Sequence, residues 1–247
     1  MATPPSSLRP DAASWDEVRT TFHDEHKQGD HVAVVGPTDS GKSTLLFEFA
    51  KLRAQRVASD GRPSRVTVLG TKPRDRTLDG LGWPRIRSWP PGYGQEHVMV
   101  WPPYGDPATV VDRHRRVFGP LLRTIFKEGG QTVVIDEVAY FCDPPPDGLG
   151  LGSLVNKYFG VARSNDLSAF GGTTRPTHVP RSMWSEPKWL AIFAIYDHDD
   201  LRRLVEIGGN TKAIVETVRG LDEHEFLLIR RRGGRMEFYV SKVELKR

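Results

Sequence analysis

Only one cysteine, Cys142, occurs in 247 residues. That excludes an internal disulfide framework and suits a reducing compartment. Because it follows an apolar strand-like run, Cys142 reads as an inert, partly buried thiol. Long apolar runs are missing too: none approaches the roughly 18 residues needed to cross a bilayer. The N-terminus has no apolar signal-peptide core. The expectation is a soluble cytoplasmic protein with no membrane insertion. A strong charge of one sign is also lacking. The formal net charge is +4 and the pI about 9.2, which is compatible with a nucleic-acid partner but too weak to identify one. There is no internal repeat, and the length suits one α/β domain with additions.

What the chain does have is one dense motif. Gly36 to Thr44 reads GPTDSGKST and fits G-x-x-x-x-G-K-[ST], with Gly36, Gly41, Lys42 and Ser43 at the fixed positions and Pro37, Thr38, Asp39 and Ser40 between the glycines. Before it runs His31-Val32-Ala33-Val34-Val35, a β-branched run. After it, Leu45, Leu46, Phe49 and Leu52 recur at helical spacing. A strand–loop–helix junction is where a phosphate loop must sit. Glycine lets successive amide N–H groups turn into an anion-binding concavity, and the helix start adds its positive dipole end. Lys42 can reach β- and γ-phosphates, as the only cation expected in the cradle, and Ser43 can hold Mg²⁺. Asp39 is unusual, a carboxylate inside a loop meant for phosphates.

The rest of the chain divides by its punctuation. Residues 1–13, rich in Pro, Ser and Ala, read as a disordered tail, and 14–247 as the domain. Ser14 and Glu17 fit a capping box opening a helix with Trp15, Val18 and Phe22 on one face and Gly29 at its end. Val66–Leu69 and Val98–Trp101 read as strands. The long stretch between them, with Trp83, Trp89 and Tyr93, is a functional loop or hides short helices; its aromatics could stack on bases but more commonly pack such a loop down. Thr71 to Asp75 only superficially matches a guanine-reading motif, with the wrong spacing. Asp106-Pro107 reads as a cap and first turn of a helix running to Gly129. Arg113, Arg115 and Arg116 lie mostly on its polar face. Further on come a helix near Leu151–Arg163, strands at Leu167–Gly172 and Trp189–Ile195, a helix capped by Asp199, a second at Thr211–Val218, and a hairpin around Gly233-Gly234.

The second anchor is Thr132-Val133-Val134-Ile135-Asp136-Glu137. Four apolar residues make a buried parallel strand. At its carboxyl end Asp136 can hold Mg²⁺ through water, and Glu137 can orient and deprotonate an attacking water. A glutamate there points to ATP hydrolysis rather than phosphate transfer to an alcohol.

With these motifs in place, the chain resembles the FtsK–HerA superfamily of DNA-pumping ATPases, which includes small viral and phage genome-packaging ATPases. The likeness is carried by GPTDSGKS, by VVIDE, by Arg163–Pro176 (RSNDLSAFGGTTRP), by Ile192–Gly209 (IFAIYDHDDLRRLVEIGG) and by the closing hairpin, and it covers about Gly29 to Val240. It implies an α/β three-layer sandwich with a mostly parallel central sheet, an ASCE P-loop NTPase of RecA/FtsK-like kind with a C-terminal β-hairpin. It also implies that the Leu167–Gly172 strand lies between the phosphate-loop strand and Val133–Ile135. Thr174 falls where the family has a γ-phosphate-sensing glutamine, with a shorter side chain. Arg163 falls where the family has an arginine near a subunit interface, able to reach a neighbour's γ-phosphate; the alternative is a helix-end residue meeting the last carbonyls. Arg175 and Arg181 are rival candidates. Arg230, Arg231, Arg232 and Arg235 flank the hairpin turn and could face a DNA channel or simply be solvated. The function implied is ATP hydrolysis with Mg²⁺ driving double-stranded DNA by a homo-oligomeric ring, docked on a capsid portal or vertex in a host cytoplasm. Two alternatives stay open: a membrane-linked phage assembly or secretion ATPase, and a nucleotide-binding switch with little hydrolysis.

Overall fold

A computed structural model describes residues 10–57, 61, 63–87, 89–90, 95–209 and 211–245. In chain order the elements are β1 (Asp11–Ala12), α1 (Trp15–Glu25), β2 (Val32–Val35), α2 (Lys42–Ala54), β3 (Arg65–Leu69), α3 (Arg76–Asp79), β4 (Arg85–Ile86), β5 (His97–Val100), α4 (Val110–Glu128), β6 (Gln131–Ile135), α5 (Val138–Cys142), α6 (Gly152–Gly160), β7 (Ser168–Thr173), α7 (Ser182–Ser185), β8 (Trp189–Phe193), α8 (His198–Arg203), α9 (Thr211–Arg219), β9 (Glu225–Arg232) and β10 (Arg235–Lys242). They form one sheet in the order β1-β10-β9-β8-β2-β7-β6-β3-β5-β4. Pairing is parallel except where β9 meets β8 and β10.

β7 lies between β2 and β6, with Val32 opposite Phe170 and Thr132 opposite Ser168, as the resemblance implies. The central strands are apolar on both faces because both are covered. Val32, Val34 and Val134 join Val18, Phe22, Leu45 and Phe49 on the side of α1 and α2. Ala33, Val35, Val133 and Ile135 join Phe118, Leu121 and Tyr158 on the side of α4 and α6. This alternation makes the three layers.

The Ser14 capping box is present: Ser14 N donates to Glu17 Oε2 at 2.7 Å and Glu17 N to Ser14 Oγ at 3.2 Å. α1 stops at Glu25, before Gly29, because buried His26 ends it and instead meets Asp30 O at 3.1 Å. Two expected caps move. Asp106 Oδ1 accepts from Ala108 N in a turn, and α4 begins only at Val110. For α8 the cap is Asp197, not Asp199, its Oδ1 accepting from Asp199 N and Asp200 N at 3.0 Å each. The segment expected to be helical to Arg163 closes as α6 and a separate 3₁₀ turn, Ala162–Asn165.

The long stretch after β3 contains α3 and β4. Trp83 lies against His97 with ring centroids 5.3 Å apart, and Trp89 packs on the core, so these two hold the loop down rather than offering free faces. Tyr93 and residues 1–9 of the expected tail lie outside the described residues. Asp11 and Ala12 pair with Tyr239 and Val240. Cys142 is half-buried, and burial, with Asp143 beside it, pushes its thiol up to about 12, which suits an inert thiol. Among the described residues no helix is long and apolar enough to cross a membrane.

Candidate active site

β2 runs out at Val35, and the loop after it turns straight into α2. Gly36 is forced by space: a Cβ there would stand 2.7 Å from both Phe193 Cβ and Ser40 Oγ. Gly41 is forced by conformation, at φ +101° as it opens α2. Asp39 takes φ +64°, which aspartate tolerates better than most residues, and it is exposed along with Pro37 and Thr38. His224 Nδ1 lies 3.2 Å from Ser40 O and ties the loop to the start of β9. The first turn of α2, with Lys42, Ser43 and Thr44, carries backbone N–H groups without intrahelical acceptors, an anion-binding end. Beside Thr44 opens a cleft of about 630 Å³, lined also by Trp15, Arg19, Lys51, Arg76 and Thr77.

The chemistry converges from the neighbouring strand ends. Lys42 is buried, with Nζ 3.4 Å from Asp136 O and 3.6 Å from Asp136 Oδ1. Ser43 Oγ donates to Asp136 Oδ1 at 2.7 Å. Burial alone would raise the Asp136 carboxyl, but Lys42, Lys72 and the Ser43 hydrogen bond outweigh it and hold it below its ordinary value. A serine hydroxyl beside a buried, ionised carboxylate is a hard-oxygen pair. It fits magnesium, which keeps most of its waters and takes one or two protein oxygens plus phosphate.

Lys72, in the loop after β3, belongs to the same cluster and was not anticipated. Its Nζ donates to Asp136 Oδ2 at 2.8 Å and to Asp75 Oδ2 at 3.2 Å. Lys42 is therefore not the only cation at the cradle. Burial works to lower the Lys72 ammonium pKa, and the two carboxylates more than offset it, so the pKa is raised.

Glu137, one residue beyond Asp136, is half-buried and held from β7. Its Oε1 lies 3.1 Å from Thr173 Oγ1 and 3.4 Å from Thr174 N, and Thr174 Oγ1 donates to Oε2 at 3.0 Å. The structure thus brings Thr174 to Glu137. Thr173 is a partner that sequence reasoning missed, although a Thr-Thr pair ending an apolar strand was the available signal.

Arg163 is not part of this cluster. Its side chain is 76% exposed, and Nη2 lies 4.0 Å from Asp30 Oδ1. It packs beside Gly29, at the amino end of β2, whereas the phosphate loop is at the carboxyl end. Arg175 is exposed and directly follows Thr174; Arg181 is exposed just before α7.

The hairpin arginines separate into two kinds. Arg230 is buried, paired with Glu25 at 3.1 Å and Glu237 at 2.6 Å. Arg231 donates to the carbonyls of Pro187, Trp184 and Ile207. Only Arg232 and Arg235 are exposed.

No family model and no curated protein sequence matches the chain. Solved structures do. The genome packaging NTPase B204 from Sulfolobus turreted icosahedral virus 2, in complex with AMPPCP, is similar at TM-score 0.58 and 16% identity, over 86% of this chain and 98% of that one. Its complex with ATP-gammaS is similar at TM-score 0.59 over 88% and 100%. The pCW3 conjugation coupling protein TcpA, with ATPgS, is similar at TM-score 0.54 and 15% identity, over 94% and 70%. The cytoplasmic domain of the Thermomonospora curvata Type VII secretion ATPase EccC matches at TM-score 0.52 and 13% identity, over 88% of this chain but 26% of its own length. A mostly parallel sheet with β7 between β2 and β6, and the Gly36–Thr44 loop between β2 and α2, gives this chain the fold of these packaging, coupling and secretion ATPase structures.

Proposed function

We propose that the chain binds ATP with Mg²⁺, hydrolyses it, and couples turnover to moving double-stranded DNA as a homo-oligomeric ring seated on a capsid portal or vertex. One observation carries the hydrolysis: Lys42 and Ser43 from α2, Asp136 and Glu137 from just past β6, and Thr174 from just past β7 meet at the carboxyl ends of the central strands. In this reading the loop amides and Lys42 hold the β- and γ-phosphates. Ser43 and Asp136 would hold a metal ion, which when bound would supply positive charge beside the phosphoryl oxygens. Glu137, fixed by Thr173 and Thr174, orients a water in line with the γ-phosphorus and takes its proton as ADP leaves. Sugar and base extend past Thr44 into the cleft.

The DNA step is supported by likeness to B204, a genome packaging NTPase matched over nearly its whole length. A secretion role finds a counterpart in EccC, of which this chain spans about a quarter. The test is ATP turnover with and without long duplex DNA. The reading requires magnesium-dependent turnover that rises severalfold with duplex. Turnover indifferent to DNA would remove the translocation arm. Tight nucleotide binding without turnover would leave a switch.

A further inference from the structure

Asp136 has two oxygens, and they are used differently. Oδ1 faces the phosphate loop, taking Ser43 Oγ at 2.7 Å with Lys42 Nζ at 3.6 Å. Oδ2 faces away and takes Lys72 Nζ at 2.8 Å. Asp136 is only 6% exposed, so few other approaches to it exist. Lys42 is equally buried and fixed in place, but the Lys72 side chain is 47% exposed and has a second partner, Asp75, already at 3.2 Å. A hydrated divalent cation reaching this carboxylate needs an oxygen, and its waters donate as an ammonium does. Two positive groups on the two oxygens of one buried carboxylate repel each other.

We propose that Lys72 is a positioning residue of the nucleotide site: its ammonium on Oδ2 competes with the hydrated metal for the charge of the Asp136 carboxylate, and it shifts onto Asp75 when metal and triphosphate bind together. The proposal rests on the nucleotide-site reading above. Its consequence reaches the cleft. The Lys72 carbonyl accepts from Trp101 Nε1 at 2.7 Å, and Asp75 caps α3 by accepting from Leu78 N at 3.0 Å. Arg76, Thr77 and Gly80 then line the wall of the cleft beside Thr44. Releasing one ammonium from Asp136 therefore frees the 70–82 segment on the cleft side while its Trp101 anchor stays.

The experiment titrates Mg²⁺ against the full chain at fixed ATPγS and reads bound nucleotide, not turnover. Lys72→Met is expected to reach half-saturation at about five- to tenfold lower Mg²⁺ than the parent, because the competitor is gone. Lys72→Arg is expected to restore the parental requirement. Asp75→Asn, which can still cap α3, removes the alternative partner and raises the requirement. Hydrogen exchange of peptides covering 70–82 is expected to rise in the parent when Mg²⁺ joins ATPγS and to be high throughout in Lys72→Met. An unchanged or higher Mg²⁺ requirement in Lys72→Met, or exchange in the parent that ignores Mg²⁺, overturns the proposal while leaving the nucleotide site standing. A parent chain that binds no nucleotide overturns both.

Discussion

Glu137 is gripped by Thr173 at the end of β7 and by Thr174 just after it, which between them hold both carboxylate oxygens. Glu137→Gln keeps the shape and removes the base. It is expected to bind ATP and Mg²⁺ as the parent does and to turn over about 10²–10⁴-fold more slowly. Equilibrium binding and turnover measured on one preparation check this, and parental turnover would move the base elsewhere. Lys42→Ala acts at the preceding step. It removes the buried ammonium proposed to reach the phosphates, and ATP affinity is expected to fall by about ten- to a hundredfold, the value of one charge-assisted hydrogen bond. Lys72 cannot fill in for it, because it approaches Asp136 from the other oxygen. A direct binding assay with unchanged affinity would mean that the loop does not hold phosphate.

At the scale of elements, the β9–β10 hairpin shows how similar residues come to differ. Arg231 satisfies three main-chain carbonyls, of Trp184, Pro187 and Ile207, and so joins the hairpin to the segments on either side of β8. Arg231→Ala strands those acceptors and is expected to destabilise by about 2–4 kcal/mol, whereas Arg235→Ala at the exposed turn should stay within about 0.5 kcal/mol. Thermal melts of the two variants separate them; equal melting temperatures would deny Arg231 its structural role. The sequence could not distinguish these arginines, since burial of a charged residue is decided by partners far along the chain. What was legible had a local cause. β2, β6, β7 and β8 announce themselves as apolar runs, the tight loop between β2 and α2 by its glycines, and the hairpin by Gly233-Gly234. What was not legible had none. Asp197, Asp199 and Asp200 all look like caps within four residues, and the backbone chose the first. Asp106-Pro107 imitates a helix start but makes a turn. Lys72 sits in a Pro- and Arg-rich loop with no periodicity, and only the fold carries it to Asp136.

For the whole molecule, the separation of Arg163 from the phosphate loop matters most. They lie at opposite ends of β2, so Arg163 does not serve the site of its own chain. If it completes a neighbour's site, Arg163→Ala binds ATP normally and hydrolyses it about 10³–10⁵-fold more slowly. Parental activity then rises with protein concentration. Mixing Arg163→Ala with Glu137→Gln restores turnover, since the first keeps its glutamate and borrows the second's arginine. Complementation by Arg175→Ala or Arg181→Ala instead would transfer the role. Activity independent of concentration, with a silent Arg163→Ala, would mean that the chain works alone. How copies meet is also constrained by the sheet's rims. Both outermost strands, β1 and β4, are two residues long. Short rims offer little template for strand addition. β1 covers only Tyr239 and Val240 of the eight-residue β10, however, so among the described residues the 235–238 half of β10 keeps an open outer side, and the charges of Arg235 and Glu237 are what works there against fibre-like stacking of copies.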